Sequence, residues 1–234
     1  MVAMRLLALP MRLFALLLVA VSLECAADPF AVKVGEVRIG LDAPPGFADT
    51  GFTGSPRLQD MAETLTSASN RILLFALTDA DLRLFMGGDR PEYKRYVIVA
   101  TPRDMEREHV KPAVFQSFVG DSLRELGAAP APTADYRKHL DANQGKPVLL
   151  AELRRSPEAV SVLQGIRMPT PPKSSIFEQD KPPEYALSTT TLMLLRGKAL
   201  TVSVYGPYQS PADLEWIRSI SARWVEELER LNSR

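Results

Sequence analysis

The sequence predicts a single α+β domain in which a mostly antiparallel sheet is packed against two or three helices. Segments rich in β-branched and aromatic residues alternate with segments of helical periodicity, and no glycine-rich phosphate loop accompanies them. Two β-rich runs near the C-terminus are separated by a short turn, which requires antiparallel pairing there. The 234 residues are 46% apolar and 24% charged, as in ordinary globular domains.

The first 27 residues have the pattern of a secretory signal peptide. Arg12 precedes an uncharged apolar run at 13–21, about half the length that a membrane span needs. Small residues end at Ala27, so we expect cleavage before Asp28, and the mature domain would then span residues 28–234. Cleavage after residue 22 or 26 is the alternative.

Cys25, the only cysteine, supports an alternative in which the chain becomes a lipoprotein. Glu24 occupies the position where a lipoprotein signal has a small residue, so loss of Cys25 with the signal peptide is favoured. Cleavage before Asp28 would leave no cysteine for disulfides or thiolate metal sites. We therefore expect a periplasmic or secreted protein of a Gram-negative bacterium. The start codon stays open among Met1, Met4 and Met11.

Three strands are predicted in the first hundred residues, at 37–41, 72–77 and 93–101. Ser55 followed by Pro56 predicts a helix start, and apolar residues spaced by three and four continue that helix towards Asn70. One or two helical turns fit 79–86. A longer helix is expected up to residue 126, begun either by a capping box at 101–104 or at Pro112.

The C-terminal half begins with a predicted strand at 147–153. Five prolines between Pro169 and Pro183 predict an extended surface loop at 169–183. Runs at 185–195 and 199–205 predict a hairpin with a three-residue loop. Ser210-Pro211-Ala212-Asp213 then predicts the start of a final helix. Its apolar stripe, expected to cover the sheet, consists of Trp216, Ile217, Ile220, Trp224, Leu228 and Leu231.

A β-hairpin followed by a long capped helix, together with the signal peptide and the strand-to-loop pair Gly46-Phe47, resembles the PsbP/DcrB-like α-β-α fold. The resemblance covers about the last 50 residues and a short N-terminal stretch, and it rests on the order of the elements. It implies an α+β fold, and it carries over no catalytic residue.

The charge balance bears on the partner. Lys and Arg total 28, and Asp and Glu also total 28, so the basic surface of a general nucleic-acid binder is absent. After the signal peptide no apolar run is long enough to span a membrane. We therefore expect a protein partner in the envelope and no cofactor. The oligomeric state stays open.

Gly120-Asp121-Ser122-Leu123 matches the nucleophile block of the GDSL, or SGNH, hydrolases. In those enzymes the serine follows a strand, whereas here it lies within a predicted helix. Neither His109 nor His139 completes the Asp-x-x-His block that supplies the base, because Glu106 and Tyr136 precede them by three residues. The pattern therefore favours a helix surface over a catalytic serine.

Metal sites are also disfavoured. The two histidines are isolated, and no His-x-x-x-His spacing occurs. Asp79-Ala80-Asp81 with Asp89 could attract calcium, but the glycine and glutamate of an EF-hand loop are missing. Charge at a helix N-terminus explains these carboxylates better.

Tyr205 and Tyr208 flank the predicted turn between hairpin and final helix, where exposed rings could contact a partner. The sequence predicts a non-enzymatic envelope protein that binds a partner or supports an assembly. Two alternatives stay open: a hydrolytic enzyme with an unrecognised carboxylate or serine site, and a small-molecule carrier with a pocket between the sheet and the proline-rich loop at 169–183.

Overall fold

Nine strands form two sheets in the computed structural model, which describes residues 29–169 and 182–233. The strands are β1 (Phe30–Val34), β2 (Val37–Leu41), β3 (Phe47–Asp49), β4 (Asn70–Thr78), β5 (Tyr96–Pro102), β6 (Val148–Arg155), β7 (Ala159–Arg167), β8 (Tyr185–Leu195) and β9 (Lys198–Pro207). β1 and β2 pair as a separate hairpin, and the other seven form one sheet in the order β3-β4-β5-β9-β8-β7-β6. Neighbouring strands are antiparallel throughout, which confirms the predicted α+β class.

The described residues contain five α-helices, more than the two or three predicted. They are α1 (Pro56–Thr64), α2 (Asp79–Gly87), α3 (Pro112–Glu125), α4 (Arg137–Asp141) and α5 (Pro211–Asn232). α4, which was not predicted, has only five residues and lies in a polar segment without a clear apolar period. Two short 3₁₀ turns occupy Gly51–Thr53 and Arg103–Met105.

One face of the large sheet, here called the α5 face, packs against α5, α4 and the β1–β2 hairpin. α5 begins where predicted, because the Asp213 carboxylate accepts a hydrogen bond from the backbone N–H of Ser210 at 2.9 Å. Leu214, Ile217, Ile220, Trp224, Val225 and Leu228 on α5 are buried in this core. Asn232 at its end bonds both backbone groups of Gly40 and so joins β2 to the helix.

The opposite face is covered by α1 and α2 at one place and by α3 at another. α1 and α2 pack on β4 and β5 around Leu58, Leu82 and Ile98. α3 packs through Phe115 and Val119 at the ends of β7, β8 and β9. Successive residues of a strand point to opposite faces of the sheet, so the residues on this face alternate along each strand with those on the α5 face.

Two predictions about local structure are wrong. Thr101 and Pro102 belong to β5, and the buried Thr101 hydroxyl donates to the Ala199 carbonyl, so no capping box forms there. The helix starts at Pro112, which is the alternative that the sequence left open. The loop between β8 and β9 has two residues, Arg196 and Gly197, both at positive φ as a type I′ turn requires.

The predicted signal peptide (residues 1–27) and most of the proline-rich segment (170–181) lie outside the described residues. Within the described ranges, none of the helices is long and apolar enough to cross a membrane.

Candidate functional site

A groove of about 810 Å³ lies between α1 and the outer edge of β4. Its walls come from the end of β3, the 3₁₀ turn that follows, α1, the turn before β4, and β4 itself. Asp49 and Thr50 line one end, while Asn70, Arg71 and Arg103 line the other.

The groove exists because β3 stops after three residues. β3 pairs with β4 only from Phe47 opposite Thr78 to Asp49 opposite Ala76. The Asp49 carboxylate then accepts a hydrogen bond from the backbone N–H of Gly51 at 3.0 Å, which turns the chain away from the sheet. The buried Thr50 fixes this departure, since its N–H and its hydroxyl both donate to the Phe75 carbonyl, at 2.8 and 2.9 Å.

Beyond that point the outer edge of β4 is open. Among the described residues, no strand pairs with Asn70–Leu74 on the side away from β5. The register between β4 and β5 shifts between Ile72 and Leu74, so Leu73 is an extra residue. Both Leu73 and Leu74 are buried, and their backbone lines the groove.

Three carboxylates line the groove. Asp49 comes from the end of β3, and Asp60 and Glu63 come from α1. Burial raises the pKa of the Asp49 carboxyl, although the backbone N–H groups of Gly51 and Thr50 offset part of the shift. The hydrogen bonds from these two N–H groups therefore do not fully replace the hydration that the ionised Asp49 carboxylate loses on burial.

The two arginines at the other end are held by protein groups. Arg71 pairs with Glu106 at 2.5 Å and also donates to the Lys33 carbonyl at 2.6 Å. Arg103 donates through Nε to the Ala68 carbonyl at 3.3 Å. Of these two arginines, Arg71 already has a carboxylate partner outside the groove lining.

Tyr205 and Tyr208 lie on different faces of the sheet. The Tyr208 ring is 2% exposed in the α5-face core, and its hydroxyl accepts from the Tyr136 N–H and donates to Asp135. Tyr205 is half-buried on the opposite face and stacks on Tyr96, with 4.6 Å between the ring centroids. Partner contact by Tyr205 and Tyr208 stays a prediction. Because Tyr208 is buried, Tyr205 is the one of the two with exposed surface for such a contact.

The structure places the other motif residues in helices or beside the β8–β9 turn. Ser122 lies in α3, not at a strand-to-helix turn. His109 lies against Gly197, where an added Cβ would be 2.2 Å from its ring, and His139 is in the short helix α4. Asp81 belongs to the start of α2, where its backbone N–H donates to the Thr78 hydroxyl.

Sequence reasoning missed the groove and Asp49. β3 is too short to show a periodic pattern, and pairing between β3 and β4 joins residues about 30 positions apart. The local signal that could have revealed the turn is Asp49-Thr50-Gly51, an Asp two residues before a Gly.

No family model matches this chain, and no curated protein matches it. Among solved structures it matches the Ran-binding protein Mog1p of Saccharomyces cerevisiae, with 15% identity over 89% of this chain and 94% of that chain. The TM-score is 0.35, too low to support an inference about function. The predicted resemblance to the PsbP/DcrB-like fold is wrong on these findings, since the matched structure is a different protein and no family model supports it.

Proposed function

We propose that the mature chain is a non-enzymatic binding protein that holds an extended segment of a partner protein against the outer edge of β4. The observation that carries this proposal is the stretch Asn70–Leu74, which among the described residues faces a groove instead of another strand. The occupant would lie where β3 would run if it continued past Asp49.

An open strand edge offers unpaired N–H and C=O groups to any chain that can lie beside it. Five residues extend over about 16 Å, at about 3.3 Å per residue, which is enough for a short added strand. Backbone hydrogen bonds supply affinity in this binding mode, and pockets for alternate side chains supply specificity. The wall formed by α1 would contact those side chains.

The other end of the sheet lacks these features. β6 is also an edge strand, but its register shifts twice, between Leu149 and Ala151 and between Glu152 and Arg154. Its outer residues form ion pairs, Arg155 with Glu152 and Arg154 with Glu229. Bulges and charges protect a strand edge against pairing. β6 has two register shifts and two such ion pairs, whereas the open part of β4 has one shift, at Leu73, and one ion pair, Arg71 with Glu106, which favours β4 as the binding edge.

The cellular site in this proposal is the bacterial envelope, and it rests on the signal peptide predicted at residues 1–27. Mass spectrometry of the protein isolated from its own cells tests this part separately. A terminus at Asp28 supports export and cleavage, whereas an intact Met1 or Met11 terminus or a diacylated Cys25 contradicts that cleavage.

Site-specific photocrosslinking tests the binding site. A photoreactive residue replaces Gln59, which is exposed in the groove, and a matched control replaces Asp121, which is exposed on α3. We expect a partner that crosslinks at 59 and not at 121, and that slows amide exchange at Asn70–Leu74 but not along β6. Equal crosslinking at both positions, or protection elsewhere only, would contradict the proposal. Turnover in a hydrolase screen that Asp49→Asn or Glu63→Gln abolishes would favour the enzyme alternative.

A further inference from the structure

We propose that the partner segment carries a lysine or arginine side chain that pairs with Asp49 at the end of the groove where β3 stops. The inference rests on the proposed strand addition at β4 and adds the chemistry of the partner. It follows from the position of one carboxylate and from the charges around it.

Asp49 is placed to meet the end of an added strand. It is the last residue of β3, and the segment beside Asn70–Leu74 would begin just past it. Its Oδ1 accepts from the Gly51 N–H, so the carboxylate is held towards the turn that forms the groove end. A basic side chain from the partner residue nearest Thr50 could reach it.

Asp49 also lacks a cation of its own. It is half-buried, and no ion pair joins it to a Lys, Arg or His among the described residues. A partly desolvated carboxylate gains more from a cation than a fully hydrated one does, because water screens the pair less. Pairing with an ammonium or guanidinium group of the partner would compensate for the hydration that burial removes from the Asp49 carboxylate.

The neighbouring charges favour the same partner. Asp60 and Glu63 line the groove from α1 and form no ion pair within the described part of the chain, although Glu63 accepts a hydrogen bond from Gln59. Arg71 is already paired with Glu106. The lining therefore carries three carboxylates against two arginines, one of them paired with Glu106, and this balance attracts a basic segment and repels an acidic one.

Peptide binding to the purified mature protein tests the inference. The probes are capped eight-residue peptides of alternating Thr and Val that carry Lys, Gln or Glu at one position at a time. We expect the best Lys peptide to bind about fivefold more tightly than the matching Gln peptide, the ratio that about 1 kcal/mol gives. The Glu peptide should bind more weakly than either, and amide exchange should slow at Asn70–Leu74.

Two variants identify the carboxylate. Asp49→Asn keeps an acceptor for the Gly51 N–H and should bind the Lys and Gln peptides equally, whereas Asp49→Lys should prefer the Glu peptide. Asp121→Asn, on α3 outside the groove, should keep the wild-type order. Circular dichroism confirms that each variant is folded.

The outcomes separate the two proposals. Peptides that protect β4 but bind without regard to charge, or a Lys preference that survives Asp49→Asn, would overturn the basic-partner inference and leave strand addition standing. Failure of every peptide to bind would overturn strand addition at β4 and the inference with it.

Discussion

The two faces of the large sheet are covered in different ways. On the α5 face, one 22-residue helix and the β1–β2 hairpin share a single core of 28 buried residues among those described. On the opposite face the described residues form two separate clusters, of 7 and 6 buried residues, under short helices. A continuous core resists local opening, whereas small clusters can rearrange one at a time.

This difference indicates that the α5 face mainly provides stability, whereas the opposite face provides room for a binding site. The α5 face supplies most of the apolar burial, so it holds the strands in register. The opposite face is free to leave gaps, and the groove lies where α1 only partly covers β4. We therefore expect substitutions on the α5 face to change stability strongly and substitutions around the groove to change binding.

The largest effect is expected for Trp224→Ala. Trp224 is 2% exposed in the α5-face core, and its indole N–H donates to the Asp42 carbonyl at 2.7 Å. Loss of the ring should lower the free energy of unfolding by about 3–5 kcal/mol. Urea denaturation measures the change, and Trp224→Phe, which keeps most of the burial, should cost less. A loss below about 1 kcal/mol for the alanine variant would show that the α5 face is not the main core.

Phe115→Ala tests the smaller α3 cluster. Phe115 is 1% exposed, but it belongs to a group of only 6 buried residues, which can collapse more easily around a cavity. We expect a loss of about 3 kcal/mol, less than for Trp224→Ala. Phe118→Ala on the same helix is the control, since Phe118 is 41% exposed and should cost less than about 0.5 kcal/mol. Equal losses for the two phenylalanines would contradict a packed α3 cluster.

Asn232→Ala tests whether the β1–β2 hairpin is joined to the α5 face by specific bonds. The Asn232 side chain accepts from the Gly40 N–H at 2.9 Å and donates to the Gly40 and Leu228 carbonyls, both at 2.8 Å. Its loss leaves the Gly40 backbone without these partners and should cost about 1–3 kcal/mol. Faster amide exchange confined to β1 and β2 is the matching signature. The exposed neighbour Ser233→Ala should change neither quantity.

The sequence could predict α5 and the β8–β9 hairpin because their signals are local. A capping box at Ser210, helical spacing through Leu228 and a hairpin at Gly197 all lie within short windows. β7 was not predicted, although it lies between β6 and β8 in the sheet. Its Gly165, where an added Cβ would lie 2.8 Å from Leu150, weakens the strand pattern for a reason that only packing reveals.

The groove could not be predicted because it depends on where a strand ends. The three residues of β3 contain no sequence signal that Asp49 is the last to pair with β4. The open edge of β4 exists because the pairing ends there. Carboxylates at 49, 60 and 63 become neighbours of one groove only when α1 folds back beside β4. Sites of this kind need the tertiary arrangement, whereas capped helices and two-residue turns do not.

Asp49→Asn should have the smallest effect on stability, and that effect should be a gain. Burial raises the pKa of Asp49 in the folded protein, so the folded state holds this proton more tightly than the unfolded chain does. Ionisation therefore lowers stability as pH rises from the unfolded pKa through the folded pKa, and the loss persists at neutral pH. Asn cannot ionise, and it keeps an oxygen for the Gly51 N–H. Thermal unfolding should show a slightly higher Tm for the variant at pH 7, with no difference below about pH 2.5, where both side chains are neutral in the folded and the unfolded chain. A lower Tm for the variant at pH 7 would mean that Asp49 already stabilises the fold through its charge, and Asp49 would then have no uncompensated charge to offer a partner.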